Sequence, residues 1–506
     1  MTDISFDPWQ TNRGRRLRRR RNARRVVAVL AAAVIVAVTI WHHFTQPITC
    51  STGVLRLDAE CVGVSYEKAF APAGQDVLEK VRNAIKAEND WVDGQGGRPV
   101  TVAFLGPLTD IDPNGLTGGR IVHEIEGAYI AQHQLNHGPL GTGQRRIKLT
   151  LANEGHGERH WKAAVDQLVA MTDDDAPLEA VIGLVLSQKE TAQAALELSK
   201  KHVPVIGDII TADGLDATGA VVGRPLDYLA RVAIPNDQQI HAIADYLAKY
   251  RKDLRTAVML TDLNGSDMYN TSLRKDFEKY LGEYWARGGH ADDPFIGAGD
   301  IQKDIPGAVR DFCGPNRADM VMFAGRANAL NQFISDLRAY QTQQGQSCKV
   351  RPLTIVTGSD AAVFSDGKAE PADRSGHPSA SRFTVLYVPL ADPNVLKRTN
   401  PRPWSAFATE FTRRTPGDSP KTVFSASDLN DGWGIAAHDA MMTAGSAIRQ
   451  ADSDSAGAPP KREDIRVSLR QFQLGRQITG AVTLTNLDRN GNPKPTTAPV
   501  VLQIQR

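Results

Sequence analysis

Residues 99–108 read Pro99-Val100-Thr101-Val102-Ala103-Phe104-Leu105-Gly106-Pro107-Leu108, and the stretch they open, which runs to Gly207, decides the fold. The apolar run at 100–105 breaks at Gly106-Pro107. Beyond it, Ile121, Val122, Ile125, Ala128, Tyr129 and Leu135 recur near the helical period, and Gly138 closes the segment. A second strand-like run, 147–152, ends at Asn153-Glu154-Gly155. A further helical pattern (Trp161, Ala164, Val165, Leu168, Val169) leads to Ala180-Val181-Ile182-Gly183, and another, 191–201, leads to 203–207. Strands alternating with helices imply right-handed βαβ units and a parallel sheet covered on both faces. Ligands of such a sheet lie beyond the carboxyl ends of its strands. Those ends are 106–108, 153–155, the run up to Ser187, and 207–211.

A similar series follows the segment 231–236, with Asn236 as a helix cap. Strands are expected at 256–260, 320–324, 353–356 and 383–389, and helices at 268–281, 327–340, 404–413 and 434–449. The Asp-, Gly-, Pro- and Ser-rich stretch 364–381 reads as an exposed loop, and 450–462 as a linker. Near the end, Asn490-Gly491 between two apolar runs signals a hairpin.

Ahead of the α/β body, nine arginines stand between Arg13 and Arg25 against only Asp3 and Asp7, so this segment carries +7. The remaining 50 basic and 55 acidic residues leave the body at −5, which argues against a nucleic-acid-binding surface. The next 16 residues, 26–41, are apolar apart from Thr39. We expect a basic cytoplasmic tail (1–25), an uncleaved transmembrane signal anchor (26–44) and an extracytoplasmic remainder, oriented by the positive-inside rule. Residues 45–97 read as a disulfide-bearing lead-in. All four cysteines, Cys50, Cys61, Cys313 and Cys348, follow the anchor, and an even count in an oxidising compartment suggests two disulfides. Three pairings are open.

Few motifs carry chemistry. Ser187-Gln188-Lys189-Glu190 fits a capping box, and the helix N-terminus behind it offers free N–H groups to an anion. Thr211 lies at the neighbouring strand end. His156, Glu158 and His160 depart from the zinc-protease spacing, and Gly157 interrupts a helix there, so no metal or cofactor is expected. Gly417-Asp418-Ser419 lacks the strand that a nucleophile turn needs, so no enzyme is expected.

In order and spacing these pieces resemble the type I periplasmic solute-binding proteins, in particular the branched-chain amino-acid (leucine/isoleucine/valine) receptor group of ABC importers. The resemblance rests on Val102–Thr109 around Gly106-Pro107, Glu126-Gly127-Ala128-Tyr129, Ala180–Gly183 with Ser187 and Thr191, and Val203–Gly207. Late in the chain it rests on Asp431-Gly432-Trp433-Gly434 with Ala437-His438-Asp439-Ala440. It implies two doubly wound lobes joined by three crossovers that close on a ligand, one of residues 98–232 and 385–450, the other of 236–380 and 462–506. It further implies that a ligand carboxylate meets Ser187, Gln188 and Thr191, that Thr211 helps hold an ammonium, and that Asp262, Tyr269, Arg326 and Asp360 face the ligand from the second lobe. The expected function is a membrane-anchored solute-binding protein for an amino acid or similar carboxylate, working with an ABC permease. The alternative is a sensing or assembly ectodomain of the same fold.

Overall fold

Every residue of the strand Val100–Gly106 is buried, as a central parallel strand covered on both faces must be. It lies in a computed structural model that describes residues 49–51, 53–71, 76–109, 120–137, 144–295, 318–344, 352–364, 369–372, 383–412, 424–453, 460–496 and 498–505. The expected tail and anchor, with Cys313, Cys348 and Ser419, lie outside the described residues. Among those described, no helix is long and apolar enough to cross a membrane.

The first lobe begins with an antiparallel meander, β1 (Thr49–Ser51), β2 (Val54–Leu57) and β3 (Glu60–Val64), in which a Cys50–Cys61 disulfide ties β1 to β3. Helix α1 (Glu79–Gly94) follows. Then come β4 (Val100–Gly106), α2 (Arg120–His137), β5 (Ile147–Asn153), α3 (Trp161–Ala170), β6 (Leu178–Gly183), α4 (Lys189–Lys200), β7 (Val205–Gly207) and β8 (Leu229–Arg231). The sheet runs β1-β2-β3-β5-β4-β6-β7-β8, parallel from β5 onward. The second lobe takes α5 (Asn236–Tyr250), β9 (Ala257–Asp262), α6 (Met268–Arg287), β10 (Asp292–Phe295), β11 (Met320–Ala324), α7 (Ala327–Gln344), β12 (Leu353–Val356), β13 (Glu370–Pro371) and β14 (Phe383–Tyr387). The chain then returns to the first lobe as α8 (Pro393–Thr399), α9 (Pro401–Thr412), α10 (Trp433–Ser453), α11 (Arg462–Gln473), β15 (Leu484–Leu487) and β16 (Pro493–Pro495). Strand β17 (Leu502–Gln505) closes the second sheet, whose order is β10-β9-β11-β12-β14-β17-β13, with β17 antiparallel to both neighbours.

The chain therefore passes between lobes three times, and the passages run side by side: Val232, Ile234, Val388, Leu390, Thr496 and Pro499 line one small cavity. Such a bundle of short segments can absorb the backbone rotation of a hinge.

Three boundaries differ from expectation. The lead-in at 45–97 is part of the first lobe: β3 pairs with β5, and Val81 and Ile85 of α1 lie in that lobe's core. The expected return at 385 falls inside β14, whose five residues are all buried in the second sheet. The expected assignment of 462–506 to the second lobe holds only for β17. Ile465, Leu469 and Phe472 form the apolar stripe of α11 and bury into the first lobe's core, along with Leu484 and Leu487 of the β15–β16 hairpin. A short strand, β10, follows α6 without an alternating apolar pattern to announce it.

Two helices set the packing of the first lobe. Helix α10 is buried along most of its length, and Gly127 of α2 lies against the Gly434 backbone of α10 so closely that a Cβ at 127 would overlap the Gly434 carbonyl.

Candidate functional site

The carboxyl ends of both sheets face each other across the seam between the lobes. On the first-lobe side the chain leaves β6 through Gly183 at φ 97° and Leu184 at φ 60°, a left-handed pair that turns it toward the seam. The expected capping box at Ser187–Glu190 sits one residue later. Helix α4 starts at Lys189, and Gln188 N donates to Thr191 Oγ1 at 3.2 Å. Ser187 does not cap because its hydroxyl is engaged by the next strand end, accepting from Thr211 N at 3.1 Å and Ala212 N at 3.2 Å. A hydroxyl whose two acceptor positions are filled keeps one proton to donate.

Beneath this turn lies a residue that sequence reading passed over as a site component. Glu158 is fully buried, accepting from Leu186 N at 3.1 Å and from the Thr191 hydroxyl at 2.5 Å. Burial pushes its carboxyl up to about 7 despite those two bonds and the pull of Arg326. The neighbouring Glu154 is also raised well above its ordinary range, by burial and then by Glu158. The usable signal was positional: Gly155-His156-Gly157 directly after β5 puts an acidic side chain at a strand end.

On the second-lobe side Asp267 caps α6, accepting from Asn270 N at 3.2 Å. The same carboxylate receives Arg326 through two bonds, Nε at 2.7 Å and Nη2 at 3.1 Å, and Arg326 Nη1 reaches Asp360 at 3.2 Å. The guanidinium lies 4.3 Å over the Tyr269 ring, and the Tyr269 hydroxyl accepts from Asp360 N at 3.3 Å. Burial works against the Arg326 charge, but Asp267 and Asp360 outweigh it and hold the group firmly protonated. Burial, with Asp360 next in weight, drives the Tyr269 hydroxyl well above its ordinary range. Sequence reading missed Asp267 altogether.

The lobes meet here directly. Met268 N and Tyr269 N donate to Ser187 O at 2.9 and 3.2 Å, Lys189 N donates to Ser266 O at 3.1 Å, and Gln188 forms an antiparallel bridge with Asp267. Of the eight expected ligand contacts, Ser187, Gln188, Thr191, Thr211, Tyr269, Arg326 and Asp360 thus gather at one seam. Asp262 turns into its own loop, accepting from Asn264 N at 2.9 Å and Asn270 Nδ2 at 3.0 Å. The seam combines one guanidinium, buried carboxyls, hydroxyls and backbone amides, a set suited to holding a polar molecule by charge-assisted hydrogen bonds.

His156 and His160 do not converge with Glu158: that carboxylate enters the seam, whereas His160 lies 3.5 Å from Asp58. The described residues that could hold a metal are elsewhere, Glu88 with His133 and His137, whose ligating atoms lie within 4.8 Å of one another.

No protein-family model matches the chain, and no curated protein matches it. Solved structures do. A leucine-binding protein, LivK, from Thermotoga maritima matches at a TM-score of 0.51 and 16% identity, over 78% of this chain and 93% of that one. The branched-chain amino-acid transporter substrate-binding protein LivJ from Streptococcus pneumoniae, in complex with isoleucine, matches at 0.51 and 18%, over 81% and 96%. An ABC transporter substrate-binding protein from Desulfitobacterium hafniense, in complex with leucine, matches at 0.51 and 16%, over 80% and 98%. The share of those chains covered is nearly complete. From the first sheet to the last crossover, the chain has the two-lobed type I periplasmic solute-binding-protein fold.

Proposed function

We propose that this protein is a membrane-anchored extracytoplasmic solute receptor that closes its lobes on a small polar ligand, an amino acid or similar carboxylate, for ABC-type uptake, without catalysing a reaction. One observation carries the reading: Arg326, held by Asp267 and Asp360 of the second lobe, faces the Ser187, Thr191 and Glu158 cluster of the first across the seam. A ligand carboxylate can accept from the two Arg326 N–H groups that Asp267 and Asp360 leave over and from the Ser187 hydroxyl, whose proton remains to donate. The neighbours of this fold include proteins solved with isoleucine and leucine, which makes amino acids the first class to test.

A thermal-shift screen of the purified full-length chain against amino acids, small carboxylates and sugars tests this. A ligand at a hundred times its dissociation constant stabilises by about 2.7 kcal/mol, a shift of several degrees. A selective response lost on Ser187→Ala with Thr211→Ala supports the receptor reading, and the loss is to be confirmed by calorimetric titration. A flat panel on folded protein favours the second reading, a sensing or assembly ectodomain. That reading has its own support, because Ser187 O is already engaged by the Met268 and Tyr269 amides, so the chain bridges its lobes by itself.

A further inference from the structure

A second opening lies on the same seam, beside the Ser187–Met268 contact and apart from the cluster around Arg326. It is a solvent-open cavity of about 660 Å³, walled by Asp213 and Asp216 from the first lobe, by α6 from the second and by the β15–β16 turn. Five aspartates line it against Lys189, Lys275 and Arg231, so its wall is net acidic.

Three of the five carboxylates have evident roles. Asp216 lies 3.9 Å from Arg231 and accepts from Thr218 N at 2.9 Å. Asp237 pairs with Lys279 at 2.6 Å and accepts from Tyr280 at 2.8 Å. Asp488 shapes the hairpin turn, accepting from Asn490 N and Asn492 N at 2.8 and 2.9 Å.

Asp213 and Asp276 remain. Asp213 accepts from the Ser272 hydroxyl at 2.5 Å and from Asp237 N at 3.2 Å, neither of them a cation. Asp276, one helical turn beyond Ser272 on α6, is only 5% exposed, and its Oδ2 has no hydrogen-bond partner among the described residues. Leaving a buried carboxylate oxygen unsatisfied is costly. Burial first, then a hydrogen bond to Asp213 and the charge of that carboxylate, push the Asp276 carboxyl up to about 9. At neutral pH the Asp276 carboxyl therefore keeps its proton, and two carboxyls from opposite lobes meet over that one proton, with no cation between them among the described residues.

We infer that this cavity binds an organic ammonium ion, seated between Asp213 of one lobe and Asp276 of the other, and that the bound amine clamps the seam. An ammonium brings three donors and one positive charge to two carboxylates. A hard divalent cation needs six or more oxygens, which the engaged Asp216, Asp237 and Asp488 do not supply, and Lys189, Lys275 and Arg231 in the wall would repel it more strongly. The inference stands independently of the central site, since neither aspartate belongs to it.

Isothermal titration of the full-length chain with n-butylamine and with 1,4-diaminobutane tests the inference, with 1,4-butanediol and sodium chloride of equal ionic strength as controls. Saturable binding of either amine, absent for the diol and the salt, is expected. Asp276→Asn, which keeps the shape but cannot give up a proton to become a carboxylate when the amine binds, should weaken amine affinity about tenfold or more. Without amine, this variant should melt close to the parent, because the asparagine amide can donate to Asp213 as the protonated carboxyl does. Asp213→Asn should weaken amine binding likewise. The inference is overturned if neither amine binds the parent protein, if both variants bind as the parent does, or if calcium or magnesium chloride binds and displaces the amine. A response to amino acids that survives Asp276→Asn belongs to the central site.

Discussion

Replacing Arg326 by methionine tests the seam most directly. The substitution keeps an unbranched stem over Tyr269 and deletes the guanidinium, so Asp267 loses two hydrogen bonds and Asp360 one. The side chains of Arg326, Asp267 and Asp360 are 13%, 5% and 12% exposed, which leaves water little room to take over. Removing one member of a buried charge cluster costs about 3–5 kcal/mol. A folding unit of 150–250 residues melts roughly 2–4 °C lower per kcal/mol, so the transition of the second lobe should fall by roughly 6–20 °C. Differential scanning calorimetry of the full-length chain reads this directly. The cost arises from stranded carboxylates, so Arg326→Met combined with Asp267→Asn and Asp360→Asn should recover part of it. A single-variant shift below about 2 °C, or a triple variant that melts lower than the single one, would refute the argument that the guanidinium neutralises this cluster.

Two other outcomes follow from the same structure. Gly127→Ala places a methyl group on the Gly434 carbonyl, so α2 and α10 must separate; the expected destabilisation is about 1–3 kcal/mol, read as a lower denaturant midpoint at unchanged slope. An unchanged midpoint would mean that the two helices do not touch there. The pH dependence has a defined sign. Burial raises Glu126, Glu158 and Glu179 to about 7 and Asp208 to about 6, so the folded protein holds their protons where the unfolded chain has released them. That contribution is complete below the ordinary carboxylate range and disappears as pH rises through 6–7, so the melting temperature should fall between pH 5 and 8. Glu179→Gln should flatten the slope, and a melting temperature that climbs over this interval would contradict the assignment.

Much of the architecture was legible before any coordinate. Val102–Leu105, Ile147–Ala152 and Ala180–Ile182 are apolar without interruption, and such short runs between amphipathic helices have few arrangements other than a parallel sheet. The strand-end rule then pointed to Ser187 and Thr211, and the family resemblance to Tyr269, Arg326 and Asp360, all of which the tertiary structure brings to one seam. The capping box was misplaced by one residue because a serine before a helix is ambiguous in sequence: its hydroxyl can serve the helix behind it or a neighbouring strand end, and here the amides of Thr211 and Ala212 take it. The lobe boundaries were misread for a similar reason. The apolar stripe of α11 says that the helix must bury one face, but not against which of two cores.

Local chemistry in the chain thus determined the elements, their alternation and the edge of each sheet where function lies, because hydrophobic period and turn residues act over a few neighbours. Contacts between residues far apart in sequence decided the rest. Glu158 lies 33 positions from Thr191, Asp267 lies 59 from Arg326, and Asp213 and Asp276 meet only when two lobes close. A charge acquires its partner, and a buried carboxyl its raised pKa, from whatever folding places beside it, and the apolar patterns that build the lobes carry no record of that pairing.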